Sequence, residues 1–95
     1  MSREVVIHEG FAKAKQELSK LEKSRDVDYT VERVKINNVL SLEIVCVRDD
    51  AEEIGMPLEY EIYALKNGNA VDGCTAQSLG QAEKDIMYLL NCYVW

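Results

Sequence analysis

Six carboxylates lie within one stretch in the middle of the chain, "DDAEEIGMPLEYE", which contains no Lys or Arg. They are Asp49, Asp50, Glu52, Glu53, Glu59 and Glu61. A calcium loop alternates its oxygen ligands, whereas most of these acids are adjacent to one another. A catalytic pair of carboxylates needs a cleft that drives its two pKa values apart, and a solvated loop does not provide one. Two interpretations stay open: a surface that only keeps the protein soluble, and an anionic face that binds a basic partner.

Other residues with catalytic or metal-binding chemistry are scattered. His8 is the only histidine, and neither a general base nor a zinc ligand works without companions. The segment "GCTAQS" holds the nucleophile types Cys74, Thr75 and Ser78, but His8 would have to reach them from far away in the sequence. The five glycines form no phosphate-binding loop. We therefore expect no catalytic residues, no metal and no cofactor, and we predict a non-enzymatic protein.

Composition predicts one globular domain over residues 1–95, with 47% hydrophobic and 29% charged residues. The cysteines Cys46, Cys74 and Cys92 are odd in number and widely spaced, which is typical of buried thiols in a reducing compartment. No leader-like segment and no long apolar run is visible. We expect a cytoplasmic protein with no membrane association.

The net charge of −6 is concentrated in the second half of the chain. Residues 1–48 carry 9 basic and 8 acidic side chains, whereas residues 49–95 carry 2 and 9. Contacts to phosphates need clustered Lys and Arg, so this balance argues against direct binding of nucleic acid. The favoured electrostatic partner is a basic protein surface.

Apolar periodicity divides the chain into six elements. Phe11, Ala14, Leu18 and Leu21 predict an amphipathic helix over about 9–24, while "EVVIHE" before it either extends that helix or forms a short strand. Strands are predicted at 27–36 with a bulge near 32–33, at 39–47 in a central position, at 58–65, and at about 70–76, where Gly73 marks an edge or a bulged strand. Asn37-Asn38 and Asn67-Gly68 predict hairpin turns.

Ser78 followed by Gln81 predicts the start of a last helix. The order is therefore helix, three- to four-stranded antiparallel sheet, helix: an α+β fold with both helices on one sheet face. The run "IMYLLNCYVW" is too apolar for a single buried stripe. We expect Met87, Val94 and Trp95 to be exposed on a monomer, with Met87, Leu90, Val94 and Trp95 forming an interface, most simply a homodimer. Packing onto Val5–Ile7 within the chain is the alternative.

Three family resemblances follow from these features. The element order resembles the double-stranded RNA-binding domain, but the matching "SLGQAEKD" lacks that family's basic residues. The segment "DGCTAQSLGQAEKDIMYLL" is similar to the tail of HicB-type antitoxins at Gly73, Cys74, Ser78 and Ala82, although Asp72 stands where that family has Pro. In size, order and charge, with "DYTV" after an opening helix, the whole chain resembles small acidic phage-encoded inhibitors of bacterial defence, including anti-CRISPR proteins.

The third resemblance implies an acidic face that occupies a site built for nucleic acid on its target. It would assign the six carboxylates to that face. The first hypothesis is thus a phage anti-defence inhibitor that binds a partner protein. The alternatives are an antitoxin-like or assembly module that binds through its apolar C-terminal helix, and a sponge for a nucleotide signal that uses Arg33, Lys35 and Arg48 in a pocket at a dimer interface.

Overall fold

The structure, a computed structural model, describes residues 2–23, 29–47 and 59–94. It contains six elements: α1 (Arg3–Lys23), β1 (Tyr29–Lys35), β2 (Leu40–Val47), β3 (Glu59–Lys66), β4 (Asn69–Ala76) and α2 (Leu79–Tyr93). The α+β class and the element order predicted from the sequence are confirmed. The predicted acidic residues Asp49, Asp50, Glu52 and Glu53 lie outside the described residues, as does Trp95.

The four strands form one antiparallel sheet in the order β1-β2-β3-β4. Strand β2 pairs with β1 on one side and β3 on the other, which is the central position predicted from its largely apolar sequence. The register between β1 and β2 runs without interruption from Tyr29 opposite Val47 to Lys35 opposite Ser41. The predicted bulge near 32–33 is therefore wrong. The apolar residues change from odd to even positions along β1 because Val31 lies on the exposed face and Val34 on the buried face, not because of an extra residue.

The core lies between the sheet and the two helices. Residues Leu42 and Ile44 of β2 and Ile62 of β3 are fully buried, and they share one cluster with Leu18 of α1 and Ile86 of α2. Helix α1 contacts β1 and β2, and α2 contacts β3 and β4. Both helices thus pack on the same face of the sheet, as predicted, because alternation along the strands directs one apolar face toward them.

Helix α1 begins at Arg3, which resolves the open question about "EVVIHE" in favour of the helix. Val6 and Ile7 are buried in the core cluster, and Gly10, Ala14 and Leu18 continue the same buried stripe. A Cβ on Gly10 would come within 3.0 Å of Ile36 and 3.4 Å of Leu90, so the absent side chain allows close packing of α1. Burial of this stripe outweighs the preference of β-branched residues for strands.

The first hairpin turn uses an Asn side chain rather than positive φ. The Asn37 side-chain oxygen accepts hydrogen bonds from the backbone N–H groups of Val39, at 2.9 Å, and Leu40, at 2.7 Å. The second hairpin has φ of 52° at Asn67 and 84° at Gly68, which is the positive-φ geometry predicted for a type I′ turn. Both predicted hairpins are thus confirmed.

The start of α2 is capped as the sequence predicts. The Ser78 hydroxyl oxygen accepts a hydrogen bond from the Gln81 N–H at 3.1 Å. The Gln81 side chain does not complete a capping box, because its amide donates to the Asp85 carboxylate at 3.0 Å instead. At the other end, the Arg3 guanidinium donates to the Asn91 carbonyl. The last turn of α2 has no basic residue of its own. The positive charge of Arg3 therefore interacts favourably with the negative end of the α2 dipole.

Candidate binding surface

Alternation along the strands creates a second sheet face, opposite the helices, which we call the open sheet face. None of the described helices packs on it. The residues at positions on this face are Val31, Arg33 and Lys35 on β1, Ser41, Glu43 and Val45 on β2, Glu59, Glu61, Tyr63 and Leu65 on β3, and Gly73 and Thr75 on β4.

Glu59 and Glu61 lie next to each other on this face, as the sequence predicts. They are two residues apart on β3, so their Cα atoms are about 7 Å apart. Glu59 pairs with Val47, and these two positions are the strand ends between which residues 48–58 run. The two described members of the predicted anionic face therefore stand where the chain leaves the sheet toward the other four members.

One of the two carboxylates is engaged within the chain. The Tyr63 hydroxyl donates a hydrogen bond of 2.7 Å to Glu61, and both residues are half-buried. This bond holds the Glu61 carboxylate in a defined position on the sheet. A carboxylate has several acceptor sites, so Glu61 keeps capacity for donors from a partner.

The middle of the open sheet face is apolar and well covered. Val45 is only 2% exposed although no described helix covers it. The register places Val31 and Glu61 beside Val45, with Glu43 two residues along the same strand and Tyr63 on the diagonal. These are the described residues that flank Val45 on the open sheet face.

The opposite corner of the face is basic, which the prediction of an anionic face did not include. Arg33 donates to Glu43 at 2.9 Å across the β1–β2 pair, and Lys35 is exposed two residues further along. The pair Arg33–Glu43 cancels one negative charge on the surface. The anionic character of the open sheet face is therefore concentrated at the start of β3.

The nucleotide-sponge alternative assigned Arg33, Lys35 and Arg48 to phosphate binding. The guanidinium of Arg33 is committed to Glu43, and Lys35 is exposed. Arg48 lies outside the described residues.

A polar cluster that was not predicted from the sequence lies at the seam between β4 and α2. The Tyr93 hydroxyl donates to Asp72 at 2.9 Å, and the Lys66 ammonium lies 5.6 Å from the centre of the Tyr93 ring. The bond to Asp72, followed by burial, raises the pKa of Tyr93 to about 12. Asp72 and Tyr93 are far apart in sequence, and only the pairing of β4 with β3 beneath α2 brings them together.

The candidate nucleophile Cys74 lies at this seam. Burial, and then the negative charges of Asp85 and Asp72, raise the pKa of the Cys74 thiol. A raised pKa keeps the thiol protonated at neutral pH, whereas nucleophilic cysteines have lowered pKa values. His8 is exposed on α1. In the described part of the chain, no three His, Cys, Asp or Glu side chains are grouped to hold a metal ion.

The predicted C-terminal interface is mostly internal. Leu90 and Val94 are fully buried, and Met87 is partly buried against the same core cluster, which also contains Val6 and Ile7. The expectation that Val94 would be exposed on a monomer is therefore wrong. The excess of apolar residues in "IMYLLNCYVW" reflects two internal neighbours, since α2 packs against both α1 and the sheet.

Comparison with known proteins gives no relative: the chain matches no protein-family model, no curated protein and no solved structure. Neither described helix has the length and apolarity needed to cross a bilayer.

Proposed function

We propose that this chain is a small acidic binding protein that inhibits or sequesters a partner protein, as phage-encoded inhibitors of bacterial defence do. The working surface consists of Glu59 and Glu61, at the acidic end of the open sheet face, together with the acidic segment that precedes them in the sequence (Asp49, Asp50, Glu52 and Glu53). The partner presents a basic surface, of the kind that binds nucleic acid. The protein acts by occupation of that surface and catalyses no reaction.

One observation carries this proposal: Glu59 and Glu61 stand side by side on a sheet face that no described helix covers, at the strand end adjoining the acidic segment. Carboxylates held on a rigid strand accept charge-assisted hydrogen bonds from Arg and Lys, and these are about twice as strong as neutral ones. The strand holds the Cα atoms of Glu59 and Glu61 about 7 Å apart before binding, so little backbone ordering entropy is lost.

The charge of the whole chain supports the same function. A net charge of −6 on 95 residues attracts a basic partner over a distance and raises the association rate. Binding of this type is sensitive to salt, because exposed charges are strongly screened at roughly 0.5 M.

The experiment is an affinity capture from host lysate, with the wild type and an Asp49/Asp50/Glu52/Glu53→Ala variant, at low and high salt. A control variant, Glu9→Gln/Glu83→Gln, removes charge from the helices and leaves the acidic end intact. We expect one partner to be captured by the wild type and the control at low salt, and to be lost in the variant and at high salt. A partner retained by the variant at high salt would exclude the acidic end as the working surface.

A further inference from the structure

The two edges of the sheet differ in how they are protected from pairing. Strand β4 forms one edge. Ala64 and Leu65 of β3 pair with Asp72 and Ala70 of β4, so Val71 between them has no partner on β3. This bulge interrupts the edge. In addition, the Gly73 N–H donates to the Asp72 side chain at 2.8 Å. A bulge and an internally satisfied N–H are devices that prevent an edge strand from pairing with another chain.

Strand β1 forms the other edge; it has no bulge, and its protection consists of the charged residues Glu32, Arg33 and Lys35. Its pairing with β2 is regular along its whole length, and it contains no proline. The Ile36 N–H donates to the Leu40 carbonyl at 3.0 Å, which makes Ile36 and Leu40 a hydrogen-bonded pair. Because hydrogen-bonded pairs alternate along an antiparallel ladder, the even-numbered residues of β1 bond to β2. The N–H and C=O groups of Tyr29, Val31, Arg33 and Lys35 therefore point away from the sheet.

We propose that the β1 edge binds the β1 edge of a second copy of this chain, so that the two sheets join into one continuous antiparallel sheet. The pairing is isologous, with a twofold axis at Val31. The outward N–H and C=O groups of Tyr29, Val31 and Arg33 of each copy then bond to those of the other copy.

The positions of the charged residues on β1 favour this register between two copies of the chain. With the axis at Val31, each Val31 lies opposite its own counterpart, Glu32 lies opposite Thr30, and Arg33 lies opposite Tyr29. No charged residue faces another. An axis at Glu32 or at Arg33 would instead place like charges directly opposite each other, which is destabilising. Val31 is 41% exposed in one chain, and this arrangement buries it.

The dimer also affects the acidic surface. A twofold axis through paired antiparallel strands is perpendicular to the sheet, so both open sheet faces lie on the same side. Two acidic ends are then presented together, and a partner with two basic sites gains avidity from the second contact.

The experiment measures the mass in solution by light scattering over a range of concentrations. Val31→Pro removes an N–H that points away from β2, so the β1–β2 ladder is retained, and Val31→Lys places two like charges at the axis. Val71→Lys, at a residue of similar exposure (45%) on the other edge, is the matched control. Circular dichroism checks that each variant is folded.

One chain has a mass of 10.8 kDa. We expect the wild type and Val71→Lys to have twice that mass, and the two folded Val31 variants to have the mass of a single chain. If Val31→Pro does not fold, the mass of Val31→Lys alone tests the proposal. A wild type that is monomeric at all concentrations would overturn the proposal. A dimer that persists in both folded Val31 variants would also overturn it, because the contact would then lie elsewhere.

Discussion

The ring of Tyr63 on β3 lies against Gly73 on β4, its directly paired neighbour across the sheet. A Cβ placed on Gly73 would be only 2.8 Å from Cδ1 of Tyr63 and 3.0 Å from Cε1. The glycine therefore provides the space in which the ring rests. This contact positions the Tyr63 hydroxyl, which in turn holds Glu61. Gly73, which in the sequence only marked an edge or a bulged strand, thus supports the candidate binding surface.

Gly73→Ala should destabilise the fold by about 1–3 kcal/mol, the usual cost of an added methyl group in a packed site. The ring must move away, and its hydrogen bond to Glu61 is lost with it. The measurement is the free energy of unfolding in urea. Gly80→Ala is the control, because no atom lies within 4 Å of a Cβ there, and it should stabilise α2 by about 0.5–1 kcal/mol.

The same substitution in a Tyr63→Ala background isolates the contact. Without the ring, Gly73→Ala should be neutral or stabilising, since alanine loses less backbone entropy than glycine on folding. If Gly73→Ala cost the same with and without Tyr63, the contact between the two residues would not be the cause.

The hydrogen bond between Tyr93 and Asp72 should make stability depend on alkaline pH. The pKa of Tyr93 in the folded chain, about 12, exceeds the ordinary value of 10, so the folded state holds this proton more tightly. The resulting stabilisation is complete below pH 10 and is lost as the pH rises from 10 to 12. The measurement is the free energy of unfolding of the wild type and Tyr93→Phe across this range. We expect the advantage of the wild type to shrink between pH 10 and 12; a constant difference would contradict the bond.

Leu90→Ala should destabilise the chain by about 2–5 kcal/mol, because Leu90 is fully buried between α2, α1 and the sheet. Lys84→Ala, on the exposed side of the same helix, should change stability by no more than about 0.5 kcal/mol. Thermal or urea unfolding gives both values. If Leu90→Ala changed the free energy of unfolding only slightly but abolished partner binding, Leu90 would belong to an interface, as the sequence predicted, and not to the core.

Local signals were sufficient to predict most of the fold. The turn at Asn67-Gly68 and the cap at Ser78 depend on residues within three positions of each other, and strand alternation depends only on side-chain polarity. Hence the element order, the central position of β2 and the shared face of Glu59 and Glu61 could be predicted.

The parts that could not be predicted depend on contacts between distant segments. Val6 and Ile7 favour a strand locally, and only burial against α2 and the sheet makes them helical. Val94 was expected to be exposed because local periodicity could not choose between an interface and packing onto Val5–Ile7 within the chain; α2 packs against α1, which agrees with the second alternative. The pair Tyr63–Gly73 depends on the bulge that shifts the pairing of β3 with β4 by one residue, and the bond Tyr93–Asp72 depends on the packing of α2 against β4.

The most direct test of the proposed function is the affinity for the captured partner, measured for Glu59→Gln/Glu61→Gln and for the Glu9→Gln/Glu83→Gln control. Glutamine keeps the size of each side chain and an acceptor for Tyr63, so the sheet stays intact. If the acidic end of the open sheet face binds the partner, the first variant should weaken binding about tenfold or more, by loss of charge-assisted hydrogen bonds, while the control stays near the wild type. Equal affinities for the wild type and both variants would contradict the account.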